Sequence, residues 1–431
     1  MATQFAHPVP HLTTALTGPL RHLETVILER QPLIESWFRV QWRDTPPPFY
    51  ASVDLRNAGF KIAPVDTNLF PAGFNNLNPA FEALCIQAIQ QAVEKQGGNT
   101  TDRIVIVPES HTRNMYYLES VRVLRDLIEK AGFEVRIGSL IEDLHEPMSI
   151  DLDSGGALEL IPLVRDGDSV RAGDFMPDLL LLNNDLSGGR PAILEDLAQP
   201  VVPPLALGWS NRSKSVHFGY YQQVAGEFAG SLDIDPWLID PLFRNCGEID
   251  FMKREGSLCL QTNVDALLKQ IKQKYDEYGV ECRPFVIVKA DSGTYGMGVM
   301  TAHSAEDVLE LNRKQRTRMA TTKEGRKITK VIIQEGVYTH ETWGDANTVA
   351  EPVVYLIGNN VVGGFYRVHE ERAANENLNA PGMRFEPLAF DDCCITPDRH
   401  QAPDAHPNRF YTYGVIARLA MLAAAREKAN L

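Results

Sequence analysis

Read for its apolar and polar positions alone, the chain begins with apolar residues at roughly helical spacing over 12–40, which predicts an N-terminal helix; QWRDTPPPFY then ends it with three consecutive prolines. Short alternating pieces over 50–78, parted by Gly, Pro and Asn, predict a strand followed by a long polar loop. Asn78 followed by Pro79 starts a helix that Gly97 and Gly98 close. The run IVIVP at 104–108 predicts a buried strand, MYYLESVRVLRDLIEKAG at 115–132 an amphipathic helix, and FEVRIGSL the next strand. Strand, helix and strand joined by short connections signal a parallel sheet, to which DLLLLNND at 178–185 adds another buried strand. Residues 1–205 therefore read as one α/β domain, with VVPPLALGW as the seam after it.

Residues 206–284 lean helical, and from 285 the pattern turns to strands: FVIVK, KVIIQEGV at 330–337, PVVYLIG at 352–358 and VVGGFYRV at 361–368. A helix beginning SAEDVLELNRKQR lies between the first two, with Ser304 and Asp307 at capping-box spacing. Asn359 and Asn360 predict a tight hairpin, and TYGVIARLAMLAAAREKAN a final amphipathic helix with a structural role. The fold class is mixed α/β, with a parallel-sheet domain first and a strand-rich module last.

At 431 residues the chain exceeds what a single core usually serves, so two or three domains are expected. Its composition is 44% hydrophobic and 23% charged, which suits a water-soluble globular protein, and a net charge of -14 argues against a nucleic-acid-binding surface. The six cysteines show no C-x-x-C or zinc spacing and read as reduced cytosolic thiols. Neither a leader-like N-terminus nor an apolar run of membrane-spanning length is evident, which places the expected site of action in the cytoplasm. Oligomeric state is left open.

The chemistry concentrates in VIVKADSGTYGMGVMT at 286–301, where Lys289 ends an apolar run before Gly293, Thr294, Tyr295, Gly296, Met297 and Gly298. A Walker A loop needs its lysine after the glycines, and a Rossmann turn leads into a helix rather than into another apolar run. What remains is a strand ending in lysine and a loop whose N–H groups could close over a triphosphate, or an ordinary hairpin with glycines at positive φ. The loop alone supports both equally. Downstream come Gln334 and Glu335 at a strand end, placed to hydrogen-bond adenine and ribose edges, then Arg367 closing GGFYR, then the Asn-rich NENLNAPG.

That order resembles an ATP-grasp fold, and IVKADSGTYGMGV together with YRVHEERAANENL resembles the corresponding segments of glutathione synthetase. Over nearly its whole length the chain is similar to the proteobacterial family of short glutamate–cysteine ligases, through GWSNRSKSVHF, the glycine loop, IIQEGV, EPVVYLIGNNVVGGFYR and NLNAPGMRFEP. The resemblance implies that 285–431 carries the nucleotide-binding glycine loop and 1–205 the substrate side, with 206–284 between them. It implies ATP and Mg²⁺ as cofactors and small amino acids as partners. Lys289 and Lys214 would meet the phosphates, RSKS around Lys214 reading nearly as well as a solvated basic turn; Arg367 would stabilise the charge of a forming acyl phosphate, or else pair with Glu370 or Glu371.

For the metal, the fold implies a late acidic residue and a Glu-x-Asn pair. No clean Glu-x-Asn follows Arg367, so Glu351, Asn377, Asn379, Asp391 and Asp392 are the candidates. The stretch SVDLRNAGFKIAPVDTNLFPAGFNN supplies Asp54, Arg56, Asn57, Lys61, Asp66, Asn68, Asn75 and Asn76, a mixture suited to an amino acid's ammonium and carboxylate, or to turns that satisfy themselves. Asn377 is a further substrate candidate, and Arg113 with His111 follows a strand in the same position as that stretch. His369 reads as structural. The expected reaction is glutamyl phosphate formation followed by attack of the cysteine amine. The rivals are a ligase for another amino acid pair, an ATP and amino acid sensor without turnover, and a kinase that releases the acyl phosphate.

Overall fold

The computed structural model describes residues 18–98, 100–293, 298–321, 327–344, 346–387 and 410–431. Three sheets organise them. The expected parallel sheet is present: Arg103–Pro108 pairs in parallel with Glu134–Ser139 and with Leu179–Asn183, which pairs with Val201–Val202. The sequence reading passed over the antiparallel extension of Met148–Asp151, Ala157–Asp166 and Ser169–Ala172, although MSID, ALEL and SVRA alternate in burial every two residues.

A second sheet, antiparallel, runs in the order Arg384–Pro387, Asn360–His369, Thr348–Ile357, Tyr50–Asn57, Ile62–Asn68, with Thr342–Trp343 beside Thr348–Ile357. Tyr50–Asn57 pairs with Thr348–Ile357 from Tyr50↔Ile357 to Asp54↔Val353, so strand pairing crosses the seam expected at 205. Both strands are buried along nearly all their length, as central strands covered on two faces must be. Ala51, Val53, Val354 and Leu356 join the core that contains the C-terminal helix. Tyr50, Val353, Tyr355 and Ile357 point to the opposite core, with helices Glu82–Gly97 and Met115–Lys130. Two-residue alternation therefore assigns each side chain to one core or the other.

The third sheet, also antiparallel, has the order Phe243–Cys246, Val331–Glu335, Val286–Ala290, Val299–Ala302. The 206–284 stretch is mostly helical, with helices Lys214–Leu232 and Ser257–Tyr278.

Four local expectations shift. The single N-terminal helix is two, Pro19–Glu29 and Gln31–Asp44, because Pro32 fits the first turn of a new helix but not the interior of a continuous one. Asp307 does accept from the His303 and Ser304 N–H groups, at 2.7 and 3.0 Å, but this closes a turn. The helix starts later, at Arg313, under a complete Asn312/Gln315 capping box. The hairpin turns at Gly358 and Asn359, one residue early, with Gly358 at φ 56°. The terminal helix Phe410–Ala429 is enclosed on all sides rather than amphipathic, its small residues packing against Lys214–Leu232. Its charges are paired, Arg418 with Glu35 at 2.7 Å and Glu427 with Arg212 at 3.0 Å. Among the described residues no helix is long and apolar enough to cross a membrane.

Candidate functional site

The four-stranded and six-stranded sheets face each other across a cleft with about 850 Å³ of empty space. On the four-stranded side, Lys289 and Ile287 share the face of Val286–Ala290 opposite to Val286 and Val288, which enter the core, and both line the cleft. Lys289 Nζ donates to the Val65 carbonyl at 2.6 Å. Burial depresses its pKa to about 8, against the pull of Asp66 and with the help of Lys214.

Asp291 then fastens the strand to the helix Lys214–Leu232. Its carbonyl accepts from Lys214 N at 2.7 Å, and its carboxylate from Ser215 N at 2.7 Å and Ser215 Oγ at 2.8 Å. A residue just past the end of a distant strand thus caps this helix, occupying N–H groups that have no partner within it. Lys214 is thereby set with Nζ 2.9 Å from Asp66 Oδ1 and 3.9 Å from the centre of the Trp209 ring. Burial raises the Asp66 pKa, but Lys214 and Lys289 together outweigh it and hold the carboxyl below its ordinary value.

Gly293 lines the cleft at φ 93°. Gly298 takes φ 64°, where a side chain is strained, and a Cβ there would also push the tip of Ile328, whose Cδ1 lies 2.6 Å away. Thr294, Tyr295, Gly296 and Met297 lie outside the described residues, as do Asp391 and Asp392.

Gln334 is buried, borders the cleft, and leaves Nε2 without a protein partner. Glu335 behaves differently. Its carboxylate accepts from Lys61 Nζ at 2.9 Å, Trp237 Nε1 at 3.1 Å and Leu242 N at 3.1 Å, deep in the protein. Although Glu335 borders the cleft, its side chain is spent on structure. Adjacent residues on a strand face opposite ways, and that rule could have separated the two from the sequence.

The six-stranded side presents an interlocked cluster. Register sets Glu351 opposite Arg367, and Asp54 and Arg56 come from the neighbouring strand. Arg367 Nη1 donates to Asp54 Oδ2 at 2.9 Å and to Glu351 Oε1. Arg56 Nε donates to Glu351 Oε2 at 3.0 Å, and its Nη groups reach the carbonyls of Val337 at 3.1 Å and Glu376 at 2.5 Å. Burial raises the Glu351 pKa, but the two guanidiniums win and hold it low. Asp54 goes the other way: burial raises it, only partly countered by Arg367, and Glu351 and Asp66 raise it further. Burial weakens the hold of Arg367 on its proton, yet the two carboxylates beside it more than restore that hold.

The cleft thus gathers Asp54, Arg56, Asp66, Lys214, Lys289, Gly293, Gln334, Glu335, Glu351, Arg367, Asn377 and Asn379. It does not gather the rest of the sequence candidates. Asn57 is buried with Nδ2 on Tyr413 Oη at 2.9 Å and Glu341 Oε1 at 3.3 Å. Asn68 closes its own turn, Oδ1 accepting from Phe70 N at 3.0 Å. Asn75 and Asn76 belong to the turn Phe74–Asn76, and Arg113 lies in a separate surface hollow with Ser110, His111, Thr112 and Asn114. His369 Nε2 sits 3.0 Å from the Pro381 carbonyl, a structural role as expected. The sequence reading missed Glu376 and the apolar lining from Val65, Ile287, Val299 and Val337. The strand alternation that selects Lys289 also selects Ile287.

Among the described metal candidates, Glu351 and Asn377 do not fit a protein-held ion as placed. Both Glu351 oxygens are taken by guanidiniums, and Asn377 Oδ1 accepts from Asn379 N at 2.9 Å. Among the described residues no group of three or more His, Cys, Asp or Glu side chains is arranged to hold a metal. An acid-x-Asn pair does occur, at Asp66 and Asn68, but on the edge strand Ile62–Asn68 rather than late in the chain.

The GshA glutamate-cysteine ligase family matches residues 24–428. A crystal structure at 1.90 Å of a candidate gamma-glutamylcysteine synthetase from Methylobacillus flagellatus KT is 56% identical, with a TM-score of 0.90, over 99% of this chain and 100% of that one. D-alanyl-alanine synthetase A from Vibrio cholerae O1 biovar eltor is 11% identical over 75% of this chain and 81% of that one, with a TM-score of 0.33. A glutathione synthetase-like effector from Globodera pallida, in apo form, is 11% identical over 83% of each chain, with a TM-score of 0.37. No curated protein matches the chain.

Proposed function

Since the chain belongs to the glutamate–cysteine ligase family, we propose that the cleft between the two antiparallel sheets is where ATP drives the joining of L-glutamate to L-cysteine. The ligase is ATP-dependent and makes γ-glutamylcysteine, the first step toward glutathione. The observation that best supports this site is the convergence of Lys214, Lys289, Arg56 and Arg367 on one cleft in a chain of net charge -14. Asp54, Asp66, Glu335, Glu351 and Glu376 line the same cleft, so the cations are not in excess. Lys289, whose Nζ meets a neutral carbonyl, lies open to a polyphosphate, while Arg367, ordered by Asp54 and Glu351, suits a carboxylate brought against it.

In this reading, an ATP-grasp-type nucleotide site, the polyphosphate lies along Lys289 and Lys214, where charge-assisted hydrogen bonds replace those to Val65 and Asp66. The unpartnered Gln334 Nε2 supplies a donor for an acceptor nitrogen of the base, which rests on the apolar lining of Ile287 and Val299. The γ-carboxylate of glutamate attacks the γ-phosphorus, the bond to the bridging oxygen of ADP breaks, and a glutamyl phosphate results. Arg367, held by Asp54 and Glu351, is preorganised beside the oxygens that gain charge. The cysteine amine then attacks the acyl carbon and inorganic phosphate leaves. Asp54, bonded to Arg367 through one oxygen only, offers the other to a substrate ammonium. Mg²⁺ commonly accompanies such chemistry, but Glu351, bound by two guanidiniums, and Asn377, bound by Asn379 N, do not fit a protein-held ion.

The test is ADP release measured with glutamate, with cysteine and with both. Release that needs both amino acids supports the ligase. Turnover with glutamate alone points to a kinase that frees the acyl phosphate, and ATP binding with no release under any amino acid mixture points to a sensor; either result sinks the proposal.

A further inference from the structure

Away from the cleft chemistry, Cys246 and Cys259 bring their sulfurs to 3.3 Å, in contact but unbonded. Cys246 ends the edge strand Phe243–Cys246 and is buried; Cys259 lies in the first turn of the helix Ser257–Tyr278 and is exposed. The connection between them is rigidly built. Asp250 N donates to the Glu255 carbonyl at 3.1 Å, Asp250 Oδ1 accepts from Met252 N and Lys253 N at 3.0 Å, and Ile249 N donates to the Thr329 carbonyl at 2.8 Å. Gly256 at φ 75° makes the final turn, where a Cβ would fall 2.5 Å from the Glu248 carbonyl oxygen. These bonds hold the backbone that brings the end of the strand beside the first turn of the helix.

The two sulfurs differ in a way that assigns an order of reaction. Cys246 donates its S–H toward Cys259 Sγ, and burial, then Cys259 itself, pushes its pKa up to about 12, so it stays a thiol. Cys259 Sγ is open to solvent and also receives Asn263 Nδ2 at 3.4 Å. An exposed sulfur that accepts hydrogen bonds beside a buried, protonated one is the arrangement of an entry thiol and a resolving thiol.

We propose that Cys246 and Cys259 form a thiol–disulfide switch, in which Cys259 takes up a low-molecular-weight disulfide and Cys246 resolves it. The Cys259 thiolate attacks one sulfur of R–S–S–R, forming the mixed disulfide and expelling RS⁻. Cys246, losing its proton as it attacks Cys259 Sγ, then expels the second RS⁻. One disulfide is consumed and one formed, two electrons pass from the cysteine pair to the small disulfide, and the two thiol protons end on two RSH. The oxidant class rests on the proposed function, since cysteine and γ-glutamylcysteine themselves oxidise to such disulfides; the bond itself does not. The new link ties to the helix a strand whose Phe243 pairs with Gln334 and whose preceding Leu242 N holds Glu335. Oxidation therefore clasps the back of the nucleotide wall.

The experiment incubates the full-length protein with glutathione disulfide, alkylates the remaining thiols and maps peptides without reductant. The expected product joins Cys246 to Cys259. Cys246→Ser should stop at a lasting mixed disulfide on Cys259, and Cys259→Ser should leave Cys246 unmodified. The linked wild type should unfold at a higher temperature than its reduced form, a gain that reductant removes and Cys246→Ser never shows. A lasting mixed disulfide on wild-type Cys259, Cys246 modified as fast in Cys259→Ser as in wild type, or neither thiol modified would overturn the switch. A linked form that melts no higher than the reduced one would overturn the clasp. None of these outcomes depends on ADP release, so this proposal and the ligase reading can fail separately.

Discussion

The two walls of the cleft are charged to opposite purposes. On the six-stranded side, Asp54, Arg56, Glu351 and Arg367 bond to one another, and both oxygens of Glu351 are used, while Arg367 Nε is left without a partner. On the four-stranded side, Lys289 leans on a neutral carbonyl, Lys214 on one oxygen of Asp66, and Gln334 Nε2 on nothing. A network of buried, paired charges is rigid and costly to break, so it holds geometry. Lys289, held by a neutral carbonyl, and Gln334 Nε2, held by nothing, turn to a ligand at little cost, so they bind. One wall positions and the other grips, and substitutions on the two should fail differently.

The largest effect is expected on the positioning wall. Glu351→Gln leaves two buried guanidiniums short of a countercharge, and breaking such a pair costs about 3–5 kcal/mol. Stability measured by denaturant should drop by that amount and turnover should fall with it. The sign with pH follows from the depressed Glu351 pKa: its contribution is full above the ordinary glutamate value of 4.5 and is lost as pH falls through the lower folded value. The variant should therefore lose stability less steeply in acid than the wild type. An equal acid slope in both would show that Glu351 is not held as described.

Glu335→Gln should come next, and only as stability. Lys61 would keep the Asp240 carbonyl at 3.0 Å and the Trp237 ring at 4.4 Å, so the loss should be nearer about 3 kcal/mol, the lower end for a broken buried pair. ATP affinity should hold. If affinity drops tenfold in protein that is still folded, the Glu335 carboxylate touches the nucleotide after all.

These two carboxylates also show what the sequence could convey. Period and punctuation located most helices and strands, because 3.6-residue and two-residue repeats are local properties. Sheet membership is not local: nothing in SVDLRN says that Asp54 will lie opposite Val353, and only that register carries Asp54 and Arg56 to Glu351 and Arg367. The polar stretch around Asp54 was legible as chemistry, whereas its division was not. Asp54, Arg56 and Asp66 turn into the cleft, and Asn57 and Asn68 turn away to satisfy a helix tyrosine and a turn. Lys289 was legible because it ends a strand beside glycines. Glu351 was visible only as an acid, and its binding by two arginines depends on three strands meeting.

On the gripping wall, Lys289→Ala should weaken ATP binding by about tenfold to a hundredfold, as loss of a charged hydrogen bond worth roughly 1.5–3 kcal/mol implies. The melting point should barely move, since the lysine's partner is a neutral carbonyl. Its titration offers a finer reading. Free Lys289 titrates near 8, and phosphate oxygens beside it favour the charged form, so ATP binding above about pH 8 should take up a fraction of a proton. Calorimetry in buffers of different ionisation enthalpy measures that uptake. It should shrink toward neutral pH and vanish in Lys289→Ala; uptake that persists in the variant assigns the proton elsewhere.

The smallest effect should come from Arg113, which belongs to neither wall. It is exposed in a hollow bounded by its own segment, and that hollow shares no lining residue with the cleft. Substitutions at such places usually stay within about 0.5 kcal/mol. Arg113→Ala should therefore change the KM for glutamate and for cysteine by less than about twofold, the factor that this energy allows. A tenfold rise in either KM would mean that the loop 109–114 moves to the substrate during turnover. The division of labour between the two walls would then need a third, mobile member.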